Sequence, residues 1–163
     1  MTKVTPLSLV VTCDISVSAM VTVPKAAHAC LVFAHGAGAG MNHPFIANLC
    51  DGLAIRGIAT LRYQFPYMEK GSRRPDPPTP CHTTVHLASV KIPMLFLQGA
   101  RDALAGISLM QKVVARLQAP VTLKVIHHAD HSFHVLVRSG TTDREVMNSM
   151  LDEVGRWIAA VCG

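Results

Sequence analysis

The sequence predicts an α/β domain with a mostly parallel sheet, an N-terminal antiparallel hairpin and helices on both faces. Three observations predict it. Residues 30–34 and 94–97 are short, continuous apolar runs, the mark of strands buried on both faces. Strand-like and helix-like segments alternate along the chain, which is how parallel strands are joined. Residues 7–12 and 16–23 alternate apolar and polar positions around Cys13-Asp14, a hairpin pattern.

The elements follow in order. After the strand at 30–34 comes the glycine-rich segment GAGAG, then a helix start. Pro44 suits the first helical turn, where its missing N–H costs nothing. Phe45, Ile46, Leu49 and Leu53 then share a face, and Gly57 is the C-terminal stop. Residues 58–65 read as a strand ended by Pro66. Residues 70–82 are loop by composition, because their prolines remove amide donors and bias their neighbours away from helix. The stretch 68–92 shows no convincing element, an unusual length for a compact domain. Residues 94–97 form the next strand, 107–117 a helix and 121–126 a strand. Thr142-x-x-Glu145 is a capping box. It opens a last helix with Val146, Met150, Val154, Trp157 and Ile158 on one stripe.

Composition bounds the function classes. A chain of 163 residues, half of them hydrophobic and 15% charged, can bury a real core and is expected to be one domain, 1–163. No apolar run reaches the length of a membrane span, so no membrane partner is expected. The N-terminal segment lacks the unbroken apolar core and cleavage site of a signal peptide. Five cysteines (Cys13, Cys30, Cys50, Cys81 and Cys162) are an odd count with wide spacing and no C-x-x-C. They read as reduced thiols in a cytoplasmic protein. The net charge of +5 is scattered. Its one cluster, Lys70, Arg73 and Arg74, reads as a solvated loop. No aromatic residues interleave to make it a nucleic-acid patch, and no nucleic-acid partner is expected.

Four segments carry a resemblance: HGAGAG (35–40), FPYMEKGSRRPDPP (65–78), LFLQGARDALA (95–105) and ADHSFH (129–134). In order, each at a strand end, they resemble the dienelactone-hydrolase-like branch of the α/β-hydrolase superfamily over nearly the whole chain. The resemblance implies a shortened α/β-hydrolase fold. Its ancestral activity would be hydrolysis of ester-like bonds through a Ser-His-Asp mechanism without a cofactor. The partner it implies is a small-molecule ester-like substrate or ligand. The departure is at about 85–86. There, relatives carry two strand–helix units, roughly 60 residues at about 30 per unit. With them goes the Gly-x-Ser-x-Gly turn that holds the nucleophile, and the chain contains no such motif.

By resemblance, Asp102 is the triad acid. A carboxylate after a buried strand can orient an imidazole and stabilise its protonated form; the plain alternative is a helix N-cap. His131 is the general base, singled out by the DHSF context from His127, His128 and His134. A histidine in the loop after the last strand can reach the catalytic end of the sheet. His35, Gly36, Ala37 and Gly38 match the oxyanion-side loop, whose amides stabilise developing negative charge. No residue is an evident substitute for the serine. Ser108 follows the acid and breaks the chain order, Ser72 lies in the Arg-rich loop and Ser132 adjoins the base. Cys81 has only a sequence neighbour, His82, to activate it. The histidine-rich sets His127, Asp130, His131, His134 and His82, His86 match no metal-binding spacing. The expectation is a family member of little or no activity, or alternatively a non-catalytic binding protein. The simplest repair of the shortened sheet pairs the strand at 30–34 with the one at 94–97. The other outcome leaves open edges that invite a homodimer.

Overall fold

β1 (Lys3–Thr12) and β2 (Ile15–Val23) form the predicted hairpin, antiparallel with Leu9 opposite Val17 and an irregularity between Val10 and Thr12. In this computed structural model the described residues are 3–35, 39–72, 87 and 89–162. The chain divides into two units, Met1–Pro78 and Thr79–Gly163.

In the first unit the strand order is β1-β2-β4-β3. β3 (Ala29–Ala34) runs parallel to β4 (Ile58–Tyr63), and β2 pairs β4 antiparallel. α1 (Pro44–Ile55) joins β3 to β4. It starts where His43 Nδ1 accepts the Phe45 amide at 3.3 Å, with Pro44 in the first turn. It stops at Gly57, whose φ of +73° is the left-handed conformation glycine adopts without steric cost. The helix packs on β4 and β2 and buries Ile46, Leu49, Cys50 and Leu53. Leu53 and Ile58 are fully buried, and Val17 and Ala19 complete this core. On the opposite face of β4 from Ala59, the hydroxyl of the fully buried Thr60 has no hydrogen-bond partner among the described residues. Such a group costs about 1–3 kcal/mol.

In the second unit β5 (Met94–Gly99) runs parallel to β6 (Val121–Ile126), from Met94 opposite Val121 to Gly99 opposite Ile126. α3 (Ile107–Val114) lies between them in sequence and packs on β6. α4 (Asp143–Cys162) packs on β5 with Val146, Met150, Leu151, Val154 and Ile158 buried. The capping box forms as predicted. Thr142 Oγ1 accepts the Glu145 amide at 3.2 Å, and Glu145 Oε2 accepts the Thr142 amide at 2.8 Å. The Thr142 amide and the Thr142 and Thr141 hydroxyls, all donating to Oε2, hold the Glu145 carboxyl below its ordinary pKa.

Several expectations change. The sheet is not mostly parallel. Two pairings are antiparallel, β1–β2 and β2–β4, and two are parallel, β3–β4 and β5–β6. Among the described residues β3 makes its parallel ladder with β4 and β5 with β6, each pair linked through one helix that closes a small loop. Pro66 does more than end a strand. It opens α2 (Pro66–Glu69), whose Glu69 carboxylate accepts the Ser18 amide at 2.6 Å. α3 ends at Val114 rather than at 117. The junction at 85–86 and the residues Arg73, Arg74, Cys81 and His82 lie outside the described residues.

Candidate active site

β5 ends in a turn that shapes a carboxylate site. The Asp102 amide donates to the Gly99 carbonyl at 3.2 Å. Asp102 Oδ1 then accepts the amides of Leu104 at 2.8 Å and Ala105 at 2.9 Å. The local turn thus occupies one carboxylate oxygen. Oδ2 accepts the Gln98 side-chain amide at 2.9 Å and faces His131 Nδ1 at 2.9 Å. Gln98 is buried and also donates to the Ala105 carbonyl at 2.7 Å, so it is a strut between the strand end and the turn.

The electrostatics follow from this count. Burial alone raises the pKa of the Asp102 carboxyl. The hydrogen bonds from His131, Ala105, Gln98 and Leu104 outweigh it and hold the group well below the carboxylate range. An ionised carboxylate only accepts, so His131 Nδ1 carries the proton in their shared bond. Nε2 of the neutral ring then holds the lone pair. The Asp102 side chain is 6% exposed and the His131 side chain 60%, so the acid is sheltered and the imidazole is open. This is the geometry in which a carboxylate fixes the tautomer of a general base. No hydroxyl or thiol of the described residues is hydrogen-bonded to His131.

The loop that delivers His131 is held at several points. The Ala100 and Arg101 amides donate to the carbonyls of Ile126 at 3.0 Å and Ala129 at 2.8 Å, which ties the two strand ends together. Ala129 is fully buried and bridges Val135. Asp130 Oδ1 accepts the amides of Ser132 at 2.9 Å and His134 at 3.0 Å, closing the turn around the histidine. Phe133 adopts φ +60° within it. Asp143, at the start of α4, accepts the Val135 amide at 2.8 Å and faces His134 Nδ1 at 2.8 Å. The approach of this loop to β5 leaves no room at Gly99. A Cβ there would overlap the Asp130 carbonyl oxygen and lie 2.7 Å from that of Ala129.

The structure therefore brings Asp102 and His131 together. His35 lies in the other unit and is described there. It is buried, its Nε2 accepts the Phe65 amide at 3.1 Å, and its ring meets Phe65 edge-on at 4.6 Å. In this position it supports the end of β4. Gly36, Ala37 and Gly38 lie outside the described residues. Ser108 is exposed in the first turn of α3, and Ser132 is exposed beside His131. Among the described residues no group of three His, Cys, Asp or Glu side chains is arranged to hold a metal ion. None of their helices is long and apolar enough to cross a membrane. Sequence reasoning missed Gln98, Asp130 and Asp143 as supports. Asp130 sits inside the quoted ADHSFH segment, but its turn is a short-range side-chain contact that the motif does not announce.

A family model described as an alpha/beta hydrolase domain matches the chain in two segments, residues 27–84 and 79–159. The two matched segments overlap at residues 79–84. No curated protein matches the sequence. Among solved structures, the dienelactone hydrolase from Anabaena variabilis ATCC 29413 is similar with a TM-score of 0.74 and 17% identity, covering 98% of both chains. The esterase domain from a Rhodothermus marinus protein follows at TM-score 0.70 and 12% identity, covering 99% of this chain and 100% of that one. A cold-adapted esterase from an Arctic intertidal metagenomic library gives TM-score 0.64 and 14% identity, covering 95% and 94%. At these identities the likeness is one of fold.

Two predictions follow from the geometry. Gly99→Ala forces backbone apart and is expected to cost about 2 kcal/mol, the scale of overpacking a tight site. Urea denaturation measures it, and a cost below the experimental error would contradict the close approach. The second concerns His134 and Asp143. Their hydrogen bond raises the His134 pKa above its ordinary 6.5 and lowers that of Asp143 below its ordinary 3.8. The His134 contribution to stability is complete below pH 6.5 and is lost as pH rises through the raised value. The Asp143 contribution is complete above pH 3.8 and is lost as pH falls through the lowered value. The stability difference between wild type and Asp143→Asn should therefore be largest between pH 3.8 and 6.5 and shrink on both sides. A difference that is flat across that range and above it would count against the pair.

Proposed function

The chain belongs to the alpha/beta hydrolase domain family, and from that premise we propose that it is a serine-hydrolase scaffold with its acid and base and without its nucleophile. Asp102 is the acid and His131 the base of an ester-hydrolysing site. The observation that carries this reading is the 2.9 Å contact between Asp102 Oδ2 and His131 Nδ1. It belongs to a sheltered, ionised carboxylate and an open imidazole. His35, Gly36, Ala37 and Gly38 are the remains of the oxyanion loop. The second amide of that hole normally follows the nucleophile, so it is absent with the elbow.

Loss of a triad nucleophile lowers the rate by several orders of magnitude, leaving binding and oxyanion effects. The protein is thus a weak or inactive hydrolase for small ester-like molecules. The alternative, a non-catalytic binding protein on the same scaffold, is favoured by an His131 ring that has no hydroxyl partner among the described residues. The same reading takes the chain as one shortened domain, with helices on both faces, in a reducing cytoplasm. Cys13, Cys30, Cys50 and Cys162 as free thiols support that compartment. It also takes β3, which carries a ladder on one side among the described residues, as an edge open to a second copy.

Incubation with a fluorophosphonate followed by intact-mass measurement tests the proposal. The expected result is the unmodified mass. A single stoichiometric adduct that disappears in His131→Ala would mean that another residue serves as nucleophile.

A further inference from the structure

The turn after β6 and the segment leading to α4 enclose a second feature of the same unit. A cavity of about 310 Å³ is lined by Arg101, His128, Leu136, Arg138 and Ser139. Neither Asp102 nor His131 lines it. Two arginines line it, and among the described residues no Asp or Glu does.

The cationic wall is built into the backbone. His128 adopts φ +63°, an uncommon conformation for a residue with a side chain. Its carbonyl accepts Arg101 Nη1 at 3.0 Å, while the Arg101 amide is fixed on Ala129 at 2.8 Å. Arg101 is therefore oriented by one nitrogen. Its other guanidinium N–H groups have no acceptor among the described residues. Arg138 projects from the 3-10 turn Val137–Ser139, which Gly140 closes at φ +74°. Its guanidinium makes no hydrogen bond or ion pair with the described residues. Ser139 is already engaged with Thr141 at 3.4 Å. Leu136 supplies an apolar surface beside the two cations.

Two like charges around one recess repel, and an anion between them relieves the repulsion. Guanidinium is planar and matches a carboxylate through paired N–H donors. The recess is larger than an inorganic ion needs, and its Leu136 wall suits a short alkyl group. We propose that this cavity binds a small organic acid, with its carboxylate between Arg101 and Arg138 and its alkyl group against Leu136. The proposal goes beyond the hydrolase reading and does not depend on it.

Sodium butyrate, titrated into the full chain at constant ionic strength and followed by amide NMR, tests it. The expected result is saturable shifts at 128 and 136–140, with affinity at least tenfold weaker in Arg138→Gln. Arg138 is exposed and unbonded, so this variant should keep the wild-type melt. Shifts that never saturate, or equal binding by Arg138→Gln, would overturn the proposal. So would saturation of the same amides by inorganic phosphate and not by butyrate, which would make the site one for an inorganic oxyanion.

Discussion

A missing methyl group at Gly99 sets the distance between two loops. The carbonyls of Ala129 and Asp130 pass where any other residue would place its Cβ. Because they can pass there, the Ala100 and Arg101 amides reach the far side of the turn. The loop after β6 then closes on the end of β5, and His131 arrives over Asp102. A side chain at Gly99 would separate the strand ends before any catalytic question arose. The contact is also self-consistent in energy. Burying a carboxylate is costly, but Asp102 is surrounded by four donors that repay its lost water.

That arrangement leaves the imidazole half prepared. Its Nδ1 is committed to the acid, and its Nε2 is open. In a serine hydrolase the next atom along this line is the nucleophilic oxygen. This sequence contains no Gly-x-Ser-x-Gly turn, and the contact that orients the His131 ring is formed without one. Asp130, Gln98 and Asp143 hold the loops of His131 and Asp102 through their own hydrogen bonds. The Asp102–His131 pair is therefore a structural unit in its own right.

Much of the second unit was legible in the sequence. The apolar runs marked β5 and β6, and the Thr142–Glu145 box marked the start of α4 to the residue. The pair Asp102 and His131 was legible as a motif, since both follow short buried strands. Other features were hidden for physical reasons. Leu151 falls beside the expected helical stripe and is buried because α4 packs over a wider face than that stripe. Gln98 reads as an ordinary strand residue until the turn folds back over it. α2 is only four residues long and follows two aromatic positions that look like the end of a strand. Strand order was hidden as well: apolar runs say that a strand is buried but not which neighbour it takes, and the β2-β4-β3 order of the first unit follows from no single run.

The central claim is that Asp102 fixes the tautomer of His131 in the absence of a nucleophile. Long-range nitrogen–proton NMR of the histidine ring at neutral pH measures this directly. The account predicts a proton on Nδ1 and a bare Nε2, reverting to the distribution of free histidine in Asp102→Asn. A His131 ring that already shows the free-histidine distribution in the wild-type chain would contradict it.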